Sequence, residues 1–260
     1  MHNERVHRSI SDAGWSLFAP YWDDLHGDRT DEVKFWAKVA RRYGRRILAP
    51  LAATGEVAAG LARSGFEVVA IDCCPEMLAI AKSKAHGLAG LSCRQGHVSD
   101  LAKVEEPFDF VFFSAGSYHH YWDTMGQLNV LSAIHGLLRP GGGFGLEMMP
   151  FLSDRPAAET IMERSEGSGP CGALQVRTEA SYERGSRMLS LSQTMTIEAD
   201  GQVEKHKFNI PLRMFTRVEL VASLAETGFR RVAEYGSYGF QPHTPQAAQW
   251  IVVAERRAGC

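Results

Sequence analysis

The sequence predicts one α/β domain, built on a doubly wound, mostly parallel sheet of seven strands with helices on both faces. Two observations support this prediction. In the first half of the chain, short apolar runs typical of buried strands alternate with amphipathic helical segments. Residues 155–213 then break this rhythm, because polar and apolar residues alternate there as they do in antiparallel strands. We therefore expect an antiparallel β lid inserted into a parallel core.

The predicted elements of the core follow one another in a regular order. Thr30 is expected to cap the first helix, and Gly65 and Gly87 fall where later helices should end. Helices are predicted after Thr30, over residues 56–64, from Pro75 to Gly87, around 128–138 and over 216–227. Strands are predicted over residues 46–51, 66–71 (ending in Asp72), 91–94, 108–113, 144–148, 229–235 and 249–255.

The chain is expected to divide into a core of residues 1–154, a lid of residues 155–213 and a C-terminal part of the same core, residues 214–260. Within the lid, two or three antiparallel strands are predicted, with Asp200-Gly201 as a tight hairpin turn. In sheets of this class, ligands bind beyond the carboxyl ends of the strands, where the topology switches. The binding site is therefore expected at that edge, beneath the lid.

Composition and charge exclude several classes of function. The chain of 260 residues has 28 Lys+Arg against 30 Asp+Glu, a net charge of −2 that does not suit nucleic acid. No apolar run approaches the ~20 residues of a membrane span, and residues 1–5 lack the apolar core of a signal peptide. The five unpatterned cysteines indicate free thiols. We expect a cytoplasmic protein without membrane partners; a homo-oligomer is compatible with the sequence.

The loop after the first predicted strand indicates what kind of ligand binds. A dinucleotide site needs the pattern G-x-G-x-x-G there, so that the backbone can approach a pyrophosphate. The segment from Ala49 to Gly55 contains one glycine, Gly55, so the glycines that a dinucleotide site needs are missing. Asp72, at the end of the second strand, is placed to accept hydrogen bonds from both hydroxyls of a ribose. An adenosine ligand without a pyrophosphate is S-adenosylmethionine.

Six blocks of sequence, in their order and spacing, resemble class I S-adenosylmethionine-dependent methyltransferases. They are residues 27–36, 47–55, 68–78, 108–120, 137–142 and 215–229. The chain is most similar to the small-molecule branch that includes glycine N-methyltransferase, and the likeness runs from Tyr21 to Glu255. The resemblance implies the Rossmann-like fold of that class and S-adenosylmethionine as the cofactor.

The resemblance also implies which residues hold the cofactor. Arg29 matches the arginine that pairs with the methionine carboxylate, Asp72 the ribose-binding acid, and Met77 the apolar residue against the adenine. Ser114 matches the end of the fourth strand, near the reacting methyl group, and His120 matches a histidine of the cofactor pocket. The implied cofactor set also includes Tyr21, Ala49, Leu51, Ala53, Gly55, Cys73, His97 and Val98. Tyr21 and its neighbour Trp22 are expected to close over the cofactor.

The chain departs from the family pattern at its first motif. Ala49 stands where the family has an acid that helps to hold the cofactor's ammonium group. Leu51 and Ala53 stand at two positions where the family motif has glycine. In comparison with glycine N-methyltransferase, only Leu51 is unusual. His97 takes the place of the residue that bonds the adenine amino group, and a neutral imidazole can still accept that bond. The family's lid arginine has no clear match, so glycine is a poor expectation for the substrate.

The cluster Tyr118–Trp122 is predicted to lie at the binding edge. One interpretation is a wall of the methyl-transfer pocket, with Tyr118 and Trp122 facing the sulfonium or the substrate. In this interpretation His119 or His120 is the proton acceptor, and Tyr118 is a further catalytic candidate. The other interpretation is ordinary aromatic packing at the start of a helix. No metal site is expected, because adjacent histidines point apart and a third ligand is not evident.

Two residues near the lid are further candidates for substrate contact. Arg213, where the lid ends, could hold an acidic substrate, or could equally be a solvated charge. His243 falls where the resembling family places a tyrosine over the substrate. The acceptor itself is expected to be a small molecule.

The leading hypothesis for function is in-line methyl transfer to a small molecule, at nitrogen, giving S-adenosylhomocysteine. An alternative starts from Ala49, because without an acid there the cofactor's own amine is more easily neutral and nucleophilic. Attack by that amine on the methionine side chain would give azetidine-2-carboxylate and methylthioadenosine, as in cyclases of the same fold. A third hypothesis, a non-catalytic partner subunit, fits the degenerate first motif.

Overall fold

The computed structural model describes residues 12–101, 106–121, 124–149, 161–169 and 172–257. Its helices are α1 (Asp12–Phe18), α2 (Trp22–His26), α3 (Thr30–Ala40), α4 (Glu56–Arg63), α5 (Pro75–Ala85), α6 (Thr124–Leu137) and α7 (Arg217–Glu226). The core strands are β1 (Arg46–Pro50), β2 (Glu67–Asp72), β3 (Leu91–Gln95), β4 (Phe108–Phe113) and β5 (Leu138–Met148), with β10 (Phe229–Tyr235) and β11 (Trp250–Arg256) later in the chain. Between them come β6 (Ile161–Gly169), β7 (Gly172–Glu183), β8 (Met188–Ala199) and β9 (Gln202–Arg213).

The core strands form a seven-stranded sheet in the order β10-β11-β5-β4-β1-β2-β3. The five strands from β1 to β5 are parallel, and β11 runs antiparallel to both β5 and β10. The predicted Rossmann-like fold, with seven mostly parallel strands, is confirmed. Because β1 lies between β2 and β4, the strand order reverses there, and a crevice opens at the carboxyl ends of these three strands.

Helices cover both faces of the sheet, which explains why its strands are continuously apolar. On one face, Leu131 of α6 and Leu220 of α7 belong to the same buried cluster as Val111 of β4. On the other face, Trp36 of α3 packs against Phe112 of the same strand, with ring centroids 5.0 Å apart. Alternate residues of β4 thus enter opposite layers of the core, and the ends of the strands are held rigidly.

The lid is a separate antiparallel sheet in the order β6-β7-β8-β9. Two or three strands were predicted for this region; the structure has four, because residues 161–169 pair along their full length with β7. The predicted hairpin turn is confirmed: Asp200 and Gly201, with φ of 51° and 73°, connect β8 to β9. No helix among the described residues combines the length and apolar character that a membrane span needs.

Two predicted boundaries differ from the structure. Thr30 is the first residue of α3 rather than its cap, because the side chain of Asp28 accepts the Thr30 N–H at 2.8 Å and satisfies the helix start. Strand β5 begins at Leu138 rather than at Phe144, since Leu138 already pairs with Phe108 before the glycine-rich stretch.

Candidate active site

A cavity of about 470 Å³ opens at the carboxyl ends of β1, β2 and β4, where the reversal of strand order predicts it. This volume is in the range of small-molecule sites. The lid-side helices α1 and α2 form its opposite wall. Ten of the residues predicted to hold the cofactor line it: Arg29, Ala49, Leu51, Ala53, Asp72, Cys73, Met77, His97, Ser114 and His120.

Asp72 is the buried carboxylate of this cavity. Its Oδ2 accepts the N–H of Ala53 at 2.8 Å, and its Oδ1 accepts the N–H of Cys74 at 2.9 Å. Burial raises the pKa of Asp72, although the backbone hydrogen bonds favour its ionised form. An ionised carboxylate can accept about four hydrogen bonds. Capacity therefore remains on this carboxylate for the two hydroxyls of a sugar.

The loop between β1 and α4 has a conformation that favours glycine, although it contains one glycine in five residues. Leu51 and Ala53 both have φ of 50°, and Gly55 has φ of 72°. A left-handed conformation costs a residue other than glycine roughly 1–2 kcal/mol. The backbone of this loop thus has three left-handed residues, and it presents the Ala53 N–H to Asp72.

Arg29 reaches the cavity from the start of α3, and it is paired from behind. Its Nε donates to Glu32 Oε2 at 2.6 Å, and Glu32 is 1 % exposed. Burial lowers the pKa of Arg29, but the charge of Glu32 and its hydrogen bond raise this pKa by more. The net result is a raised pKa for Arg29. Burial and then the charge of Glu147 raise the pKa of Glu32. No pattern in the sequence indicates that Glu32 belongs to the site.

Glu147, at the end of β5, is a second buried carboxylate that sequence reasoning missed. Its Oε2 accepts the N–H of Ala115 at 2.7 Å. Its Oε1 accepts from the Tyr238 hydroxyl at 2.7 Å and from Gln249 Nε2 at 3.3 Å. Ala115 lines the cavity. The signal was present in the sequence, because Glu147 is the one charged residue in the apolar end of a predicted strand beside the binding edge.

Aromatic rings from α1 and α2 form the outer wall of the cavity. Trp22 stacks on His26, with centroids 4.0 Å apart, and Trp15 meets Trp22 edge-on at 5.8 Å. Trp15 also lies edge-on to His120, at 5.6 Å. Trp22 therefore reaches the cavity, as expected for a residue that closes over a ligand.

The helix α2 is tied to the core by a small polar network around Asp23 and Lys84. Asp23 accepts from the hydroxyl of Thr54 at 2.5 Å and pairs with Lys84 at 2.6 Å. Lys84 also pairs with Glu56 at 2.8 Å. This network fixes the outer wall against the loop after β1.

Comparison with known proteins identifies the architecture. Residues 47–142 match a family model described as a methyltransferase domain. A S-adenosylmethionine-dependent methyltransferase from Clostridium acetobutylicum has a similar structure, with a TM-score of 0.77 at 15% identity, over 94% of this chain and 99% of that one. The chain has a class I methyltransferase fold.

Two other structures share this methyltransferase fold. The CcbJ methyltransferase from Streptomyces caelestis has a TM-score of 0.75 at 18% identity, over 95% of this chain and 99% of that one. The sugar N-methyltransferase KedS8 from a Streptoalloteichus species has a TM-score of 0.72 at 20% identity, over 94% of this chain and 92% of that one.

Two curated relatives match part of the chain. A putative methyltransferase, YqeM of Bacillus subtilis, is 26% identical over 126 residues, which are 48% of this chain and 51% of that protein. A putative methyltransferase of a Geobacillus species is 30% identical over 135 residues, or 49% of this chain and 54% of that protein. The chain spans about half the length of the curated relatives it matches.

Within this methyltransferase fold, three predicted cofactor residues do not line the cavity. Tyr21 is buried among α1, α5 and the lid, in a cluster with Phe18 and Met77. Gly55 caps α4 behind the loop, and Val98 is buried in the core beneath the sheet edge. Their predicted contacts with a cofactor stay predictions, because these residues lie outside the lining of the cavity.

The two adjacent histidines have opposite environments. His119 is fully buried; its Nε2 accepts the N–H of Met149 at 2.9 Å, so its Nδ1 carries the proton and donates to the carbonyl of Arg213 at 2.5 Å. Burial lowers the pKa of His119 to about 4. The prediction that His119 can serve as a base is wrong, since both its nitrogens hold backbone groups. His120 lines the cavity.

Tyr118 belongs to the core rather than to the site. It is fully buried, and its ring lies 5.4 Å from that of Phe215 and 5.7 Å from that of Phe113. Burial raises the pKa of Tyr118. Its predicted catalytic and substrate roles are wrong, and the packing interpretation holds for this member of the cluster. Trp122 lies outside the described residues.

The remaining candidates for substrate contact make structural contacts outside the cavity. Arg213 donates to Glu219 Oε1 at 3.0 Å and to the carbonyl of Met214, which ties the end of the lid to the start of α7. His243 packs edge-on against Trp250, with centroids 5.9 Å apart. Neither residue lines the cavity, so their predicted roles in substrate contact stay predictions.

Proposed function

We propose that this chain is a S-adenosylmethionine-dependent methyltransferase that modifies a nitrogen atom of a small molecule. The observation that carries the proposal is the buried carboxylate of Asp72, at the carboxyl end of β2, inside a cavity at the point where the strand order reverses. The family model that matches residues 47–142 supports the same conclusion.

The residues of the cavity fit this cofactor at both ends. Asp72 has acceptor capacity for the ribose hydroxyls, and Arg29 offers a cation to the methionine carboxylate. Ser117 lines the cavity with a buried hydroxyl that has no hydrogen-bond partner among the described residues. A buried polar atom of this kind is satisfied when a ligand supplies its partner.

The chain's own residues would orient the reactants, exclude water and take up a proton. When bound, S-adenosylmethionine supplies a methyl group that its sulfonium makes electrophilic. The rings of Trp15 and Trp22 shield the cavity from water, which favours alignment of the nucleophile in a dry site. His120 is a titratable side chain of the turn after β4 that lines the cavity, and in this proposal it accepts the proton of an amine substrate.

Transfer to nitrogen and a small acceptor are supported by the solved structures that share the fold. One is the sugar N-methyltransferase KedS8, and another is an amino pentose methyltransferase from Micromonospora echinaspora, with a TM-score of 0.69 and 19% identity. We also propose that the chain is related to the glycine N-methyltransferase branch, as the resemblance of its sequence implies.

A single incubation tests the proposed reaction. Purified protein is mixed with S-adenosylmethionine, with and without a panel of amino sugars and small amines, and the products are analysed by mass spectrometry. S-adenosylhomocysteine that forms only with an acceptor supports methyl transfer. Methylthioadenosine formed without an acceptor would instead show cyclisation. If the protein binds no cofactor, the hypothesis of a non-catalytic partner subunit is the one that remains.

Substitution of Asp72 tests the site itself. Loss of two hydrogen bonds to a charged group is worth about 3 kcal/mol, so Asp72→Ala is expected to weaken S-adenosylhomocysteine binding about a hundredfold. Glu76→Gln, at an exposed position in the first turn of the next helix, is the matched control and should bind normally. Calorimetry measures both affinities, and equal affinities would contradict the assignment.

A further inference from the structure

One guanidinium and two buried carboxylates, those of Arg29, Glu32 and Glu147, make up a charged cluster at the cavity wall. Arg29 lines the cavity and pairs with Glu32. Glu147 is joined to the wall by the N–H of Ala115 at 2.7 Å, and its charge contributes to the raised pKa of both Arg29 and Glu32. The cluster has more negative than positive groups, although its cation is the member that faces the cavity.

Glu147 is fixed against the cavity wall by three groups from two segments. Its Oε2 accepts the N–H of Ala115, a wall residue held at φ of 51°. Its Oε1 accepts from Tyr238 and Gln249, in the segment that joins β10 to β11. These are three donors, and an ionised carboxylate accepts about four, so Glu147 keeps capacity toward the wall.

The cavity lacks a charged group at the end of β1. Ala49 lines it there, with a methyl group that carries no charge. The amino-acid end of the cofactor presents a carboxylate and an ammonium on one carbon atom. Arg29 complements the first, and the second needs a negative charge on the same side of the cavity.

We infer that Glu147 is a positioning residue that supplies this negative charge, in place of an acid at Ala49. The inference rests on the proposed function, since it concerns the same cofactor. A carboxylate beside an amine favours its protonated form. An ammonium held in this way has no free electron pair for attack on its own side chain, so the cluster also favours methyl transfer over cyclisation.

The test compares two ligands in two proteins by calorimetry. S-adenosylhomocysteine carries the ammonium, whereas methylthioadenosine has the same nucleoside and lacks the amino-acid end. Glu147→Gln keeps the shape of the side chain and removes its charge. We expect the preference for S-adenosylhomocysteine over methylthioadenosine to fall about tenfold, while methylthioadenosine affinity changes little.

Two control variants separate charge from structure. Tyr238→Phe removes one donor but keeps the carboxylate, so its ligand preference should stay within about twofold of the unsubstituted protein. Adding Ala49→Asp to Glu147→Gln should restore the lost preference, because it returns a carboxylate to the cavity wall. If Glu147→Gln weakens both ligands equally, or neither, the inference is overturned and Glu147 only holds the wall.

A measurement on the unsubstituted protein covers the case in which Glu147→Gln does not fold. The deaminated analogue of S-adenosylhomocysteine keeps its carboxylate and loses its ammonium. We expect it to bind about tenfold more weakly than the parent ligand, and equal binding would overturn the inference. If the unsubstituted protein binds none of these nucleosides, the proposed function itself is contradicted. This outcome differs from equal binding of the two ligands, which contradicts only the inference about Glu147.

Discussion

Two regions of the molecule border the same cavity: the ends of β1 and β2, and the turn after β4. The side chains of these two regions are placed by different physical factors. At the ends of β1 and β2, the residues Ala49, Asp72 and Cys73 all reach the cavity, as the sequence predicts. In the turn after β4, neighbouring residues separate, so that His120 faces the cavity and His119 faces the core. Topology alone places the end of a parallel strand, whereas packing decides where each side chain of a short helical turn points.

The largest expected effect tests whether the two histidines differ in function. Loss of a general base lowers kcat about a hundredfold or more, so His120→Gln should lower kcat by that factor and leave S-adenosylhomocysteine affinity within a few-fold. His119→Gln should keep kcat within a few-fold when the rate is normalised to folded protein. Initial rates with the acceptor found by mass spectrometry measure both. Equal losses of kcat in the two variants would break the comparison.

The pH dependence of stability sharpens the same comparison. The pKa of His119 is about 4 in the folded protein, against about 6.5 for an unperturbed histidine. As the pH falls, His119 therefore binds a proton in the unfolded chain before it does so in the folded protein. The stabilisation by neutral His119 is complete above pH ~6.5 and is lost as the pH falls toward 4. We expect a loss of about 3 kcal/mol in the free energy of unfolding across that window.

Because His26 and His135 also have lowered pKa values, the comparison must be made by difference. Urea unfolding of the unsubstituted protein and of His119→Gln is followed from pH 7 to pH 4. The His119→Gln curve should be flatter by about 3 kcal/mol. Parallel curves would show that His119 is not buried in its neutral form.

The smallest expected effect concerns the loop after β1. Ala53→Gly relieves a left-handed alanine but gives the unfolded chain more freedom, so the free energy of unfolding should rise by about 1 kcal/mol or less. Ala52→Gly is the matched control, because Ala52 has no positive φ and should lose about 0.4–1 kcal/mol. Both are measured by urea unfolding. A loss in Ala53→Gly as large as in Ala52→Gly would show that the left-handed turn carries no strain.

Much of the site was predictable, because the order of strands and helices determines which residues meet at the sheet edge. Asp72 was placed in this way, whereas Arg29 and Ser114 were implied by the resemblance, and all three line the cavity. Leu51 and Ala53 adopt left-handed conformations that their residue types do not indicate. Backbone conformation in a loop depends on partners such as the Asp72 carboxylate, which a local pattern does not reveal.

The part of the site that was missed depends on distant contacts. Glu147 accepts a hydrogen bond from Tyr238, 91 residues later in the chain, and His119, which burial keeps neutral, donates to the carbonyl of Arg213, 94 residues away. The fourth strand of the lid is likewise defined by its pairing with β7. None of these contacts leaves a signature in neighbouring residues.

The amino-acid sequence by itself determined the class of sheet, its binding edge and the carboxylate at the end of β2, because hydrophobic periodicity and strand order are properties of the chain. Only the tertiary structure decided which histidine is exposed to the cavity and which acids lie behind its wall. The physical reason is burial: the protonation and orientation of a side chain depend on the groups that replace water around it, and those groups come from distant parts of the chain.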